Sequence, residues 1–335
     1  MDILVSVIIP NRNGAATIGK CLAAVQASQH GNFEIIVVDD GSEDNSIEVI
    51  ERYPCKLLRL EQHGGAARAR NVGAAHSRGR VLFFTDADCL LQPDTLALAA
   101  RTLALEGSNA IIGGTYTPGP HDRRFFSRFQ SIFINYFETR RAPAADYIAT
   151  HALAMDASVF RGIRGFAEAI RPILEDVEFS HRLRRAGCRL VINPAIRVQH
   201  IFNYSLIRSL RNAFTKSLYW TGYAIGNRDL LADSGTASVG LKVNVLLFAG
   251  NVGLLCGFVL TGKMILLAFM VLALAFNLFV NRGLLLAYHR VEGLGFAFLA
   301  ALYYLLLYPL AVGAGAGAGM LRQLFSTPLR PAEHR

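Results

Sequence analysis

Three places in the chain put carboxylates where chemistry could use them. In VLFFTDADCL (81–90), four apolar residues run into Asp86 and Asp88 with only Ala87 between them. Residues two apart on an extended segment point to the same side, so both are expected to address one divalent cation, completed by phosphate oxygens. FEIIVVDDGS (33–42) ends in a second pair, Asp39 and Asp40. Such pairs repel unless a cation or a set of donors relieves them. LEDVEFSHRL (174–183) opens a helix with Glu175 and Asp176, suited to general-base work or to favouring a helix N-terminus. His200, in RVQHIFNYS, is either a ligand or a structural residue. Asp44, Asp94 and Asp156 are read as caps of turns and helices.

The elements that must position these groups alternate. VSVIIP (5–10) is a buried strand, 15–29 has helical spacing with Ile18, Leu22 and Val25 on one face, and FEIIVV is a second strand. A helix starts at Asp44 or Asn45 and runs through Arg52, and KLLRL (56–60) is a third strand. GGAARARNVGAAHSRG is helical in its second half, and VLFFTDAD is a fourth strand. This alternation predicts an α/β fold with a mainly parallel sheet and ligands at the carboxyl ends of its strands. The absence of GxGxxG argues against a dinucleotide site.

The order VSVIIPNRNG, EIIVVDDGSEDNS, GGAARARNVGAAHSRGRVLFFTDAD and RPILEDVEFSHRLRRAG resembles a family 2 inverting glycosyltransferase of the GT-A fold, over residues 5–200. The resemblance implies a UDP- or GDP-sugar donor. It places Pro10 and Asn13 around the base, Asp39 or Asp40 on the base imide, and Gly41 and Ser42 in the turn beneath. Arg70 and Asn71 would lie near base and diphosphate. Asp86, Ala87 and Asp88 would meet the ribose and a Mg²⁺ or Mn²⁺ ion, held chiefly by Asp88 with Asp86 and completed by His200. Asp176 would be the base and Glu175 would bind acceptor or sugar. RNAFTKSLYW lacks the QxxRW of processive synthases, and GGAARARNVG departs from the polyprenyl-phosphate glycosyltransferases. A silent scaffold retaining the fold is the rival from another class.

Of 335 residues 52% are apolar, and the excess is concentrated. Across 241–325 only Lys242, Lys263, Arg282, Arg290, Glu292 and Arg322 carry formal charge. Apolar runs at 243–260, 264–280 and 293–320 read as about three membrane crossings rather than core helices, the last interrupted at Pro309. The small-residue spacings Gly313/Gly317 and Gly315/Gly319 suit close helix packing. SLIRSLRNAFTKSLYW (205–220) sets Ile207, Leu210, Phe214 and Leu218 against Arg208, Arg211 and Lys216, as in an interfacial helix or one packed on the core. FFSRFQSIFINYF (125–137) lies where an amphiphilic acceptor would enter.

The expected division is therefore 1–204 catalytic, 205–240 interfacial helix and linker, 241–325 membrane, and 326–335 polar tail. MDILVSVIIP lacks the features of a signal peptide, which places the catalytic part in the cytosol. Five scattered cysteines without CxxC indicate neither disulfides nor a zinc site. The net charge of +9 fits a membrane surface better than nucleic acid, for which no motif is present.

Overall fold

The apolar run at the start of the chain forms β1 (Val5–Asn11), the middle of one sheet. The computed structural model describes residues 3–142, 145–169 and 172–325; the polar tail expected at 326–335 lies outside them. After β1 come α1 (Ile18–Gln26), β2 (Phe33–Asp39), α2 (Ser46–Ile50), β3 (Lys56–Arg59), α3 (Ala66–Ala75), β4 (Val81–Phe84), β5 (Cys89–Leu91), α4 (Thr95–Glu106), β6 (Ala110–Tyr116) and α5 (Phe125–Thr139). Then follow β7 (Leu153–Asp156), α6 (Ala157–Gly162), α7 (Glu175–Arg185), β8 (Arg189–His200), α8 (Leu206–Asn227), α9 (Val239–Thr261), α10 (Ile265–Val280), α11 (Arg282–Leu302) and α12 (Tyr308–Phe325). The chain divides into one unit of Met1–Arg123 with Phe137–Asn203, and another of Arg124–Tyr136 with Tyr204–Arg335.

The first unit holds an eight-stranded sheet of order β3-β2-β1-β4-β7-β6-β8-β5. Its first four strands are parallel, as the alternation predicts. The other half is mixed, which corrects the mainly parallel expectation. β7 runs antiparallel to both β4 and β6, and β5 antiparallel to β8. Only four residues separate β4 from β5, which pairs with β8 at the far edge rather than with β4. The fourth strand stops at Phe84, and Asp86 and Asp88 occupy the turn between β4 and β5 rather than an extended segment. Below the sheet, Phe84 packs 5.3 Å from Phe160 and from Phe166, and Phe166 lies 4.3 Å from Phe179 on α7. That aromatic layer joins the strand before the turn to the helix carrying Glu175 and Asp176.

Two of the expected caps form. Asp156 accepts from Ser158 N at 2.8 Å as the N-cap of α6, and Asp44 accepts from Ala15 N and Ser46 N at 3.0 Å. Asp94 holds the N-cap position of α4 without a side-chain bond.

In the second unit the aromatic face of α5 is a core. Phe129 stacks on Tyr288 at 5.1 Å and meets Tyr303 edge-on at 4.8 Å, and Arg128 bonds Glu292 at 2.7 Å. Residues expected to greet an acceptor are occupied by packing. In α8, Ser209, Ala213, Thr221 and Ala224 point inward, while Ile207 is exposed. The small residues let α12 approach. A Cβ on Gly315 would stand 2.3 Å from Phe214 O, and one on Gly319 would stand 2.5 Å from Leu218 O. Gly315→Leu and Gly319→Leu are each expected to destabilise by about 1–3 kcal/mol through overpacking. Gly317→Leu, with nothing within 4 Å, should leave the unfolding midpoint in detergent unchanged; equal losses at 315 and 317 would refute the contact.

Pro309 does not break its helix. The break sits at Gly293 (φ 85°), a backbone setting that suits glycine. Residues Tyr303–Leu307 form a π turn, in which Tyr308 N donates to Tyr303 O. In that register Pro309 would serve Tyr304 O, but proline has no N–H. Asn244 Nδ2 fills the gap at 2.7 Å. Asn277 Nδ2 donates to Asn244 Oδ1, and Asn281 Nδ2 to Asn277 Oδ1, both at 2.8 Å. By length and composition, Val239–Thr261 and Arg282–Phe325 are long and apolar enough among the described residues to cross a membrane, and Ile265–Val280 is shorter.

Candidate active site

At the carboxyl ends of β1 and β2 the predicted residues form a knot of hydrogen bonds. Asp39 accepts from Ser42 N (2.9 Å), Ser42 Oγ (2.5 Å) and Asn11 Nδ2 (2.9 Å). Asn13, at φ 50°, donates its N–H to Ser42 Oγ and accepts from Glu43 N. Gly41 turns between them at φ 75°, and Pro10 pairs with Val38 just before the loop. Asp40 faces the other way. Gly64 N (2.6 Å), Gly65 N (2.7 Å) and His63 Nδ1 (2.7 Å) all donate to it, fixing the entry to α3. The repulsion of the pair is thus relieved by donors. Asn11 and His63 were missed as partners, since neither residue type announces such a bond in a sequence.

α3 then carries Arg70 inward. Its guanidinium is buried and bonds Asp86 Oδ1 and Glu175 Oε1, each at 2.7 Å. The arginine, expected near the base and diphosphate, braces the turn to the start of α7. Burial alone would push the Asp86 carboxyl up, but Arg70, then His151 and His200, hold it below the usual range. Asn71 accepts from Phe166 N at 2.8 Å and donates to Phe166 O and Glu168 Oε1 at 2.9 Å, so it anchors the 165–168 loop.

Asp88 turns away from Asp86, because Ala87 sits in a tight turn closed by Cys89 N donating to Asp86 O at 3.0 Å. Asp88 Oδ2 lies 3.4 Å from His200 Nε2. Burial in the cleft, then the charge of Asp86, push its carboxyl up to about 7, although 41% of the side chain still meets solvent. That exposed fraction leaves room for a ligand. Asp176 stands in the first turn of α7 beside Glu175, after Leu174 in the left-handed region at φ 82°. A branched side chain held there is strained backbone of the kind found at functional sites.

His151, which sequence reasoning passed over, is buried beside the turn. It lies 3.6 Å from Glu138 Oε2, stacks on Tyr116 at 4.0 Å, and accepts from Thr85 Oγ1 through its carbonyl at 2.8 Å. A lone histidine in THALAMD carries no signal of this.

Residues 6–164 match the Glycosyl transferase family 2 model. The likeness to that family is carried by this segment, just under half of the chain. The chain is 28% identical over 131 residues to Glycosyltransferase GlyG of Streptococcus pneumoniae, covering 38% of this chain and 44% of that protein. It is 33% identical over 118 residues to the UDP-Glc:alpha-D-GlcNAc-diphosphoundecaprenol beta-1,3-glucosyltransferase WfgD of Escherichia coli, covering 34% and 46%. The chain spans about half the length of the curated relatives it matches. The structure of mannosyltransferase PcManGT from Pyrobaculum calidifontis, in complex with GDP-Man and Mn²⁺, superposes with a TM-score of 0.58 at 19% identity, over 96% of this chain and 87% of that one. The shared architecture is a GT-A-like α/β fold.

The family 2 segment ends before Glu175, Asp176 and His200, yet Arg70 within it reaches Glu175. The domain also contains a testable pH dependence. Burial lowers the His151 value, but Glu138 beside it, aided by Asp86 and Asp176, raises it above the ordinary 6.5. The stability this gives is fully present below pH 6.5 and is lost as pH rises through the raised value. Thermal melts from pH 6 to 9 should fall above pH 6.5, and Glu138→Gln should remove that part of the slope; a slope unchanged in the variant would assign it elsewhere.

Proposed function

We propose that this protein transfers a single sugar, with inversion, from a UDP- or GDP-sugar to an acceptor hydroxyl on a lipid. The observation carrying this reading is Arg70, whose one guanidinium bonds both the Asp86–Asp88 turn and the start of α7. It brings a donor-binding element and a carboxylate pair to one cleft. The expected nucleotide residues Pro10, Asn13, Asp39, Gly41 and Ser42 lie at the neighbouring strand ends, with the base against the loop they build.

A divalent cation suits the residues present: Asp88 offers a carboxylate oxygen and His200 an imidazole nitrogen 3.4 Å apart, a donor pair that Mn²⁺ accepts and Mg²⁺ tolerates. Held there by Asp88 and His200, such an ion would supply positive charge to the departing diphosphate. Asp176 takes the proton of the acceptor hydroxyl as its oxygen attacks the sugar carbon opposite the leaving group, which inverts that carbon. Glu175, fixed by Arg70, orients acceptor or sugar. Arg70 positions Asp86, which meets the ribose.

The lipid acceptor and the membrane are supported by the apolar helices of 241–325 and by the diphosphoundecaprenol acceptor in the name of one relative. In this reading 1–204 is the catalytic part on the cytosolic face, 205–240 the connection and 241–325 the multi-pass anchor. The test uses detergent-purified full-length protein, a panel of sugar nucleotides, Mn²⁺ or Mg²⁺, and total membrane lipid. The expected result is metal-dependent release of one nucleoside diphosphate, raised by lipid and lost in Asp88→Asn. No nucleotide binding with any donor would replace the enzyme with a scaffold.

A further inference from the structure

A third ligating atom lies beside Asp88 and His200. Cys89 Sγ is 3.9 Å from Asp88 Oδ1, His200 Nε2 is 3.4 Å from Asp88 Oδ2, and the ligating atoms of the three residues fall within 4.8 Å of one another. The sheet holds them there. Cys89 opens β5 directly opposite His200 on β8, and Asp88 O accepts from Ile201 N at 2.9 Å. The His200 ring is clamped by Phe202, stacked at 3.9 Å, and by Tyr116, edge-on at 5.0 Å.

Around a tetrahedral ion with ordinary sulfur, nitrogen and oxygen bond lengths, such donors stand about 3.3–3.7 Å apart. The carboxylate–imidazole separation of 3.4 Å already falls in that range, whereas the widest separation, up to 4.8 Å, closes by about 1 Å on binding through side-chain rotation. A thiol is a soft donor, which hard cations decline and thiophilic ones select. We propose that Asp88, Cys89 and His200 form a three-residue site for a thiophilic divalent cation of the Zn²⁺ class, overlapping the position of the hard cation. This rests on reading Asp88 and His200 as cation ligands. On binding, the Cys89 S–H bond breaks, the sulfur electron pair goes to the cation, and the proton leaves to solvent. No oxidant or reductant is needed. A soft ion takes both residues that the donor's cation needs, and the thiol holds it there.

The test is a Co²⁺ titration of the purified full-length protein, watched in the near-ultraviolet thiolate charge-transfer absorption. The expected band saturates at one Co²⁺ per chain and survives Cys21→Ser. Cys89→Ser abolishes it and weakens binding of competing Zn²⁺ at least about tenfold. His200→Gln, with the thiol still present, also loses the band, so a misfolded Cys89→Ser sample does not decide the matter alone. Zn²⁺ removes the band at far lower concentration than Mn²⁺. No band, or a band that persists in Cys89→Ser, overturns the site. Sugar transfer with Mn²⁺ but no Co²⁺ band sinks this proposal alone, whereas the band without transfer leaves it standing and removes the enzymatic reading.

Discussion

Asp176→Asn is expected to lower kcat by roughly 10²–10⁴-fold, the range for loss of a general base, while donor binding stays near wild type. The reason is the division of labour in the first turn of α7. Glu175 Oε1 is bonded to the buried Arg70 at 2.7 Å, so taking up a proton there would break a buried ion pair. Asp176 is the next residue of the same turn, where its Oδ1 accepts from Val177 N at 2.8 Å. An amide preserves its shape and removes its basicity. Single-turnover transfer and separate titration of donor binding distinguish the two effects. If Glu175→Gln abolishes transfer while Asp176→Asn does not, the two carboxylates have the opposite roles.

Arg70→Met should carry the largest loss of stability at the site. Its side chain is 4% exposed and stands between Asp86 and Glu175, at 31% and 13%. Removing one partner of a buried pair typically costs about 3–5 kcal/mol because charge is left uncompensated. Asp86 retains some solvent, so about 3 kcal/mol is expected here. Arg70→Lys should recover part of it, since an ammonium is a point charge that cannot bond both carboxylates as a planar fork does. Chemical denaturation of the three proteins checks the order wild type, Lys, Met. A stable Arg70→Met protein would mean that the brace is not structural.

The parallel half of the fold was legible because each of its strands is a continuous apolar run followed by helical spacing. The antiparallel half was not. LAMD at β7 and CLL at β5 are too short to announce a direction, which the intervening connections decide. The site shows the same division. Asp39, Asp40, Asp86, Asp88 and the Glu175–Asp176 pair were conspicuous as paired carboxylates. What each one bonds was not, because the partners lie far away in the chain: Arg70 and Glu175 are 105 positions apart. The extended geometry assumed for Asp86 and Asp88 failed for a local reason. The turn at Ala87 sends one toward Arg70 and the other toward His200, and turn type depends on the strand that follows. In α8 the inward face was not legible, because close approach of α12 rewards small side chains rather than large ones.

The proline of α12 has a consequence for how the helical unit is made. A carbonyl left bare in an apolar surrounding costs several kcal/mol, and Tyr304 O has Asn244 Nδ2 as its donor at 2.7 Å. That donor belongs to another helix, so the 282–325 segment is chemically incomplete by itself. Asn244 precedes Tyr304 by 60 residues, so during synthesis the donor is already present when the carbonyl arrives. Asn277 and Asn281, translated in between, supply the links that hold Asn244 in position. The order of synthesis thus matches the order in which the hydrogen bonds become necessary, and α12 is completed by a helix made before it.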